Sequence, residues 1–100
     1  MDREEIEHLV RYWAEKIGVS LKQIRLIEMK KKWASVSENG ILVFNKILQN
    51  FPRDIIEYVI VHELVHLKTK TTTHNRLFRV TLSSYLPDWK LRNKKLRKME

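Results

Sequence analysis

The 100-residue chain has no cysteine, only two glycines and two prolines, and no apolar run long enough to cross a bilayer. Without cysteine it forms neither disulfides nor thiolate metal sites, which fits the reducing cytoplasm. Its charged N-terminal stretch, MDREEIEHL, lacks the apolar core of a signal peptide. It also contains no repeat and no linker. We therefore expect a single cytoplasmic domain over residues 1–100, without a membrane partner.

Acidic residues are also scarce, since 12 Asp and Glu stand against 20 Lys and Arg and leave a net charge of +8. The basic residues cluster at residues 30–32 and again between residues 90 and 98. Two solvated faces are the plainer interpretation. An anionic partner such as nucleic acid, bound through the basic C-terminus, is the alternative. The sequence gives no basis for an oligomeric state.

The first predicted element is an amphipathic helix. Asp2, with Glu5 three residues later, forms a capping box. Apolar residues then recur at helical spacing up to Ile17, and Gly18 is a typical C-terminal stop. His8 has no other ligand type beside it, so we expect it at the surface.

A small sheet is predicted next. Asn39-Gly40 is a strong hairpin signal between two segments rich in branched or aromatic residues. With an earlier segment, the predicted strands cover residues 23–29, 33–37 and 41–44. We expect two or three antiparallel strands, followed by a short helical turn at residues 45–50.

The segment from Ile55 to Leu67 is apolar almost all round when it is drawn as a helix, and Pro52 suits its first position. A helix of this kind is central and buried on nearly every side. The positions left for a narrow exposed edge are Glu57, Leu64 and Lys68.

The rest of the chain returns to amphipathic helical spacing at residues 75–86 and stops at Pro87. The predicted inner face of this helix comprises Leu77, Phe78, Thr81, Leu82 and Tyr85. Asp88 can cap a last basic helix or tail. The apolar contacts predicted for that last segment are Trp89, Leu91 and Leu96. The expected fold class is α+β: an N-terminal helix, a small antiparallel sheet, a buried central helix, a second helix and a basic C-terminal helix or tail.

The buried helix carries three polar residues in the pattern HExxH, namely His62, Glu63 and His66. Residues four apart lie on the same helix face, so both imidazoles can bind one metal ion. Glu63 is rotated away by one residue and stands beside that ion, where a general base belongs. Burying these groups without a metal or polar partners costs roughly several kcal/mol.

A hydrolytic zinc site needs a third protein ligand and an open position for water. His74 follows eight residues after His66, across a Thr-rich turn, and is the favoured third ligand. Asp88 and Glu100, the only acidic residues after Glu63, are the alternatives. Core histidines satisfied by hydrogen bonds are the purely structural interpretation of the same pattern.

Several segments together resemble the YgjP-like small zinc metallopeptidases, compact relatives of the gluzincin and SprT-like peptidases whose stand-alone archaeal forms are called minigluzincins. The segments are MKKKWASVSENGILVFNKIL, IIEYVIVHELVHLK, THNRLF and YLPDWK, and the similarity covers residues 29 to about 97. This resemblance implies that the metal is zinc and that Glu63 is the catalytic base. It also implies the zinc ligands, which are His62, His66 and His74.

The chain departs from the family pattern at two places. Residues 33–36 read Trp-Ala-Ser-Val where Trp-Gly-Ser-Cys is usual. Asn75-Arg76 follow the third histidine where Ser-Pro or Ser-Lys is usual. Both departures concern the cleft, and neither removes a metal ligand.

We therefore expect a zinc-dependent endopeptidase that hydrolyses a peptide or protein substrate with a metal-bound water activated by Glu63. An oxyanion stabiliser is also needed. The candidates for it are Asn75, Arg76, Arg79 and Tyr85. The segment ILVF at residues 41–44 resembles the gluzincin strand that pairs with extended substrate, although pairing within its own sheet is equally compatible.

Latency is a further expectation. The C-terminal segment KLRNKKLRKME ends in Glu100, which carries two carboxylates. This tail can fold over a shallow cleft and offer zinc an oxygen ligand, which would make the chain a zymogen.

Two other functions stay open. One is a SprT-like protease that acts on nucleic-acid-bound substrates, which the basic C-terminus supports. The other is a non-catalytic zinc or basic binding domain. Glu63 argues against the latter, because a structural zinc site closes all four positions and needs no base.

Overall fold

The computed structural model describes residues 1–99 of the chain. In chain order the elements are α1 (Arg3–Ile17), β1 (Gln23–Ile27), β2 (Ala34–Val36), β3 (Ile41–Asn45), a 3-10 turn (Lys46–Asn50), α2 (Arg53–Thr69), α3 (Arg76–Tyr85) and α4 (Trp89–Lys98). The expected α+β class is confirmed. Within residues 1–99, no helix is both long and apolar enough to cross a membrane.

α1 forms where the sequence predicts it, because both of its ends carry local caps. Asp2 Oδ1 accepts a hydrogen bond from the Glu5 N–H (2.8 Å), and Glu5 Oε1 accepts one from the Asp2 N–H (3.1 Å). Gly18 ends the helix in the left-handed conformation (φ 83°), which residues with a Cβ rarely adopt. The buried stripe of α1 packs against α2, and His8 is exposed as expected.

The sheet is mixed, so the prediction of antiparallel strands was wrong for β1. Its order is β1-β3-β2, with β2 antiparallel to β3 and β1 parallel to β3. β1 and β2 lie on opposite sides of β3 and are joined only by residues 28–33. Because the chain reverses across the end of β3, β1 must run in the same direction as β3. β3 is therefore the central strand and β2 is an edge strand.

The hairpin between β2 and β3 is confirmed. The Gly40 N–H donates to the Ser37 carbonyl (3.0 Å), and the Ser37 N–H donates to the Ile41 carbonyl (3.0 Å). Gly40 has φ 89°, and a Cβ placed on it would lie 2.8 Å from the Ser20 carbonyl oxygen. Only glycine satisfies both conditions at this turn.

α2 is the central helix, and it packs against α1, α3, α4 and β2. Its buried residues are Ile55, Ile56, Tyr58, Val59, Ile60, Val61, Leu64 and Val65. Leu64 is completely buried, which contradicts its predicted place on an exposed edge. Lys68 is exposed as predicted. Glu57 is only partly exposed, because it bonds to side chains of α1 and α4.

α3 and α4 pack on α2 through narrower stripes than the sequence predicts. Phe78 and Leu82 of α3 and Leu96 of α4 are buried. Leu77 and Leu91, in contrast, are more than half exposed, at 57% and 56%. Each of these helices has ten residues and rests on one side of α2, so only part of its apolar surface meets the core.

Candidate metal centre

α2 and the segment just before α3 bring three histidines together. His62 and His66 lie one turn apart, with ring centroids 4.9 Å from each other. The ring centroid of His74 lies 4.9 Å from that of His62 and 5.0 Å from that of His66. One nitrogen of each ring lies within 4.8 Å of the other two. The three residues that the sequence favours as ligands therefore converge on one point.

The turn between α2 and α3 carries the chain back towards α2. Lys70 ends α2 in the left-handed region (φ 53°), and its N–H donates to the His66 carbonyl. The next residues bond to one another, with the Thr73 N–H donating to Thr71 Oγ1 (3.1 Å). Threonine hydroxyls thus stand in for helical hydrogen bonds, which lets the chain reverse before His74.

The backbone of His74 is held from α3. Asn75 caps this helix, and its Oδ1 accepts a hydrogen bond from the Phe78 N–H (3.0 Å). Arg79 donates from Nη1 to the carbonyl oxygen of His74 (2.7 Å). These contacts fix the chain direction at His74, so Asn75 and Arg79 position the third histidine.

Phe78 forms a buried platform beneath the three imidazoles. Its ring stacks on those of His66 and His74, with centroids 4.2 and 4.8 Å away. The His62 ring meets it at a steeper angle, with the centroids 5.1 Å apart. This packing restricts all three rings, so the ligand atoms are oriented before an ion binds.

Hydrogen bonds decide which imidazole nitrogens of the histidines are available to bind a metal ion. His66 Nδ1 lies 2.7 Å from the Thr71 carbonyl oxygen, which can only accept, so Nδ1 carries the proton and Nε2 has the free lone pair. His62 Nδ1 lies 3.0 Å from Glu63 Oε2, and donation to that carboxylate likewise leaves Nε2 free. The Nε2 atoms of His66 and His74 are 3.2 Å apart.

The histidine pKa values favour the neutral rings that metals require. Burial lowers the pKa of His66 below its ordinary value, although its hydrogen bond to Thr71 opposes this. Burial also lowers the pKa of His74, and the charges of His62 and His66 lower it further. Because only neutral imidazole binds a metal ion, both shifts extend the ligand form to lower pH.

The donor set fits a tetrahedral ion such as zinc. Three neutral imidazoles with a fourth position left for water are a ligand set found in hydrolytic zinc sites. Two nitrogens each about 2.1 Å from a tetrahedral ion lie about 3.4 Å apart. The 3.2 Å between His66 Nε2 and His74 Nε2 is close to that separation.

Glu63 stands beside the ligands without joining them. Its side chain is 14% exposed, and its polar contact within residues 1–99 is His62 Nδ1. It lies outside the group of three ligand atoms. A cleft carboxylate with a single polar partner is placed to accept and release a proton.

Two grooves meet at Glu63. The first, which we name the β2 groove, has a volume of about 550 Å³ and runs between residues 34–38 and the turn at residues 70–72. The second, the α4 groove, has a volume of about 470 Å³. Its polar lining is Lys32, Tyr58, His62, Glu63, Asn93 and Arg97.

β2 is the strand that borders the site, since its residues line the β2 groove together with Glu63 and His66. Among residues 1–99, no strand pairs with its outer edge. The segment ILVF belongs to β3, which is paired on both sides. The expectation that ILVF pairs with substrate is therefore wrong, and its pairing within the sheet is confirmed.

Comparison with known proteins agrees with this geometry. Residues 2–99 match the family described as YgjP-like, metallopeptidase domain. The chain belongs to this family. A protein of Methanocaldococcus jannaschii, uncharacterized protein MJ0123, is 36% identical over 73 residues, which are 71% of this chain. The match spans only 62% of the length of that curated relative.

Two solved structures share the fold of this YgjP-like domain. The metallopeptidase zymogen abylysin of Pyrococcus abyssi has a TM-score of 0.85 at 22% identity, with 94% of this chain and 93% of that chain covered. The metallopeptidase zymogen jannalysin of Methanocaldococcus jannaschii has a TM-score of 0.80 at 29% identity, with 95% and 97% covered. The family that the sequence motifs resemble is thus confirmed.

The residues considered as oxyanion stabilisers in this YgjP-like domain line neither groove. Asn75 and Arg79 position His74, as described above. Arg76 is exposed, and the Tyr85 ring packs edge-on against Trp13 with centroids 6.3 Å apart. Spacing along the chain brought these four residues into consideration, but none of them lines either groove.

Sequence reasoning missed Tyr58 and Asn93, which line the α4 groove together with His62 and Glu63. Tyr58 precedes His62 by one helical turn, and this spacing is the signal that would have found it. Burial raises the pKa of Tyr58 to about 12, although the charge of Arg97 opposes the shift. Its hydroxyl therefore keeps its proton and donates to Asn93 Oδ1 (3.2 Å). No local pattern marked Asn93, whereas Arg97 belongs to the basic cluster between residues 90 and 98.

Asp88 and Glu100 were the alternatives to His74 as the third metal ligand, and the structure describes only the first of them. Asp88 precedes α4 without capping it through its side chain. Its carboxylate oxygens instead accept hydrogen bonds from Arg92 Nε, at 3.1 and 3.2 Å. Glu100 lies outside the described residues.

Proposed function

We propose that this YgjP-like metallopeptidase domain is a zinc-dependent endopeptidase in which Glu63 is the catalytic base. The zinc ligands in this proposal are His62, His66 and His74. The observation that supports it best is the convergence of three ligand nitrogens within 4.8 Å beside a cleft carboxylate. A zinc ion bound there supplies a Lewis acid that polarises the scissile carbonyl and lowers the pKa of water. The lack of cysteine supports a cytoplasmic location.

Glu63 moves the proton in this mechanism. Its carboxylate accepts a proton from the attacking water and returns it to the nitrogen that leaves when the peptide bond breaks. His62 Nδ1, 3.0 Å from Oε2, holds the carboxylate beside the cleft. Proton transfer thus needs no residue beyond the HExxH segment.

The substrate in this proposal is an extended peptide that adds a strand to the outer edge of β2. β2 borders Glu63 and His66 across the β2 groove, and no strand of residues 1–99 covers its outer edge. Backbone hydrogen bonds along such an edge bind peptides with little regard for sequence. A scissile bond held this way would lie next to the histidines.

Latency through the C-terminal tail belongs to the same proposal. Abylysin and jannalysin are metallopeptidase zymogens. In this chain Asn93, Leu96 and Arg97 of α4 line the α4 groove, so the segment that follows α4 begins close to the site. A chain that ends at Lys98 should hydrolyse casein faster than the full chain. Cutting at Asn93 would be a poorer test, because it removes the buried Leu96.

The first test of the metal site is elemental analysis of the purified full chain beside His74→Ala. We expect one zinc per chain in the wild type and a sharp loss in the variant. His8→Ala is the matched control, because His8 is an exposed histidine on α1. If His74→Ala retained its zinc in full, the three-histidine site would be refuted. If neither the wild type nor the variants bound zinc after zinc was added, the enzyme proposal would fail.

A further inference from the structure

The fold brings the two basic runs of the chain together at one groove. Lys32 ends the first run, and Arg97 belongs to the second run, on α4. Both line the α4 groove, whose other polar residues include His62 and Glu63. Two cationic segments separated by more than half of the sequence therefore meet beside the proposed catalytic centre.

These two cations are not neutralised within the part of the chain that the structure describes. The other cations of α4 that have partners bond to acids away from the groove lining: Arg92 to Glu57 and Asp88, and Lys95 to Asp54. Neither Lys32 nor Arg97 forms an ion pair within residues 1–99. Within residues 1–99, no carboxylate therefore competes through an ion pair for these two charges.

Asn93 adds further donors to the same lining. Its Oδ1 accepts the Tyr58 hydroxyl proton (3.2 Å), so its acceptor is occupied and its amide N–H groups remain. Among residues 1–99, the one carboxylate in the lining is Glu63, and it is bonded to His62 Nδ1 (3.0 Å). The groove thus presents an ammonium, a guanidinium and an amide, all of which donate hydrogen bonds.

We propose that the α4 groove binds a carboxylate of the substrate and so selects acidic peptides. This inference rests on the proposed peptidase function and names its specificity. Arg97 pairs with a carboxylate through two N–H groups at once, and Lys32 contributes a second charge. The carboxylate comes from an acidic side chain or from a free peptide C-terminus. A groove of about 470 Å³ accommodates such a group beside the reacting bond.

The test measures binding on the zinc-loaded chain carrying Glu63→Gln, so that the peptide is not cleaved. It compares the full chain with a chain that ends at Lys98 and therefore lacks the proposed inhibitory tail. The probes are fluorescein-labelled alanine hexapeptides with one glutamate or one glutamine at each position in turn, each made with a free or an amidated C-terminus. We expect the acidic peptides to bind about tenfold more tightly at low salt, because charge-assisted hydrogen bonds are the stronger ones. A preference for glutamate with an amidated end identifies the side chain. A preference only for the free end identifies the terminal carboxylate.

Variants of the groove give the decisive readout. Arg97→Gln and Lys32→Gln should each reduce the preference, and Arg97→Glu should invert it in favour of lysine-containing peptides. Lys94→Gln is the matched control, since it removes an exposed cation of α4 that does not line the groove. Three outcomes would overturn the inference. They are equal affinity for acidic and neutral peptides, no binding of either kind of peptide, and a preference for acidic peptides that Arg97→Gln leaves intact. Displacement by single-stranded DNA, with no preference among peptides, would also overturn it and favour a nucleic-acid partner.

Failure of this inference is distinguishable from failure of the proposed function. A chain that ends at Lys98, binds acidic peptides selectively and never cleaves them would refute the peptidase and leave the groove intact. Chain that cleaves acidic and neutral hexapeptides equally would refute the groove and leave the peptidase intact. A preference that weakens from 50 mM to about 500 mM salt would support an ionic origin, because exposed charges are screened.

Discussion

Glu57 and Glu63 lie on the same helix, six residues apart, and have similar exposure, with 20% and 14% of their side chains accessible. Their partners differ. Glu57 Oε2 accepts the indole N–H of Trp13 (2.9 Å), and Oε1 accepts a guanidinium N–H of Arg92 (2.7 Å). The polar contact of Glu63 in residues 1–99 is the neighbouring His62.

The difference shows that partners, not burial or helix position, decide what a carboxylate does here. Glu57 joins α1 and α4 to α2, because Trp13 and Arg92 approach it from those two helices. Both of its oxygens are occupied by donors, so it stabilises the fold. Glu63 borders two grooves and is free to take part in chemistry. In the proposed function, the first half of α2 is therefore structural and the second half carries the chemistry.

The largest effect we expect is that of Glu63→Gln on the rate of hydrolysis. Removing a general base typically costs about 10²–10⁴-fold in rate, so kcat on casein-derived peptides should fall by about 10³-fold. Zinc content should stay at the wild-type level, because Glu63 lies outside the ligand group. The free energy of unfolding should change by less than about 0.5 kcal/mol. Equal loss of zinc and activity would instead assign Glu63 a role in holding the metal.

Glu57→Ala should produce the opposite result, with a loss of stability and little loss of rate. It leaves the Arg92 guanidinium and the Trp13 indole without their acceptor, which we expect to cost about 2 kcal/mol. Urea unfolding of the zinc-free protein measures this. Glu4→Ala is the control, since it removes an exposed carboxylate of α1. If kcat at 25 °C fell as much as in Glu63→Gln, the division of α2 into two halves would be wrong.

These two glutamates also mark where sequence reasoning stops. The HExxH spacing pointed to Glu63 as a candidate base because the metal pattern lies within one helical turn. Glu57 was expected on an exposed edge, because its partners Trp13 and Arg92 lie 44 and 35 residues away along the chain. Helix caps and hairpin turns were predictable for the same reason as HExxH, since each depends on neighbours in sequence.

Tertiary packing decided the remaining differences. β1 runs parallel to β3 because of how residues 28–33 cross the sheet, which no alternating pattern records. Leu64 is buried because other elements pack around α2 on almost every side, whereas Leu77 lies on a part of α3 that stays outside the core. The three histidines were found from spacing, whereas the Phe78 platform beneath them required the fold.

The turn that follows α2 allows a smaller test of the functional half. Lys70 (φ 53°) and Gly18 (φ 83°) both end helices in the left-handed region, but only Gly18 adopts it without strain. Lys70→Gly should raise the free energy of unfolding by about 0.5–1 kcal/mol, and Gly18→Ala should lower it by about 1 kcal/mol. Chemical denaturation of both variants measures these two changes in the free energy of unfolding. Zinc affinity should fall slightly in Lys70→Gly, because the turn that carries His74 becomes less constrained. An unchanged free energy of unfolding in Lys70→Gly would show that the turn is not strained.

The smallest effect we expect is the pH dependence of the zinc-free chain. Because burial lowers the pKa values of His66 and His74, the unfolded chain binds more protons than the folded chain below about pH 6.5. The free energy of unfolding should therefore fall as the pH falls through this range and should not depend on these two groups above it. Urea titrations from pH 5 to 8 in a chelator measure the slope, with His8→Gln as the control expected to match the wild type. His74→Gln should flatten the slope. A slope identical to that of the wild type would mean that the exposed ring of His74 titrates in the folded chain as it does in the unfolded chain, which would contradict the lowered pKa of His74.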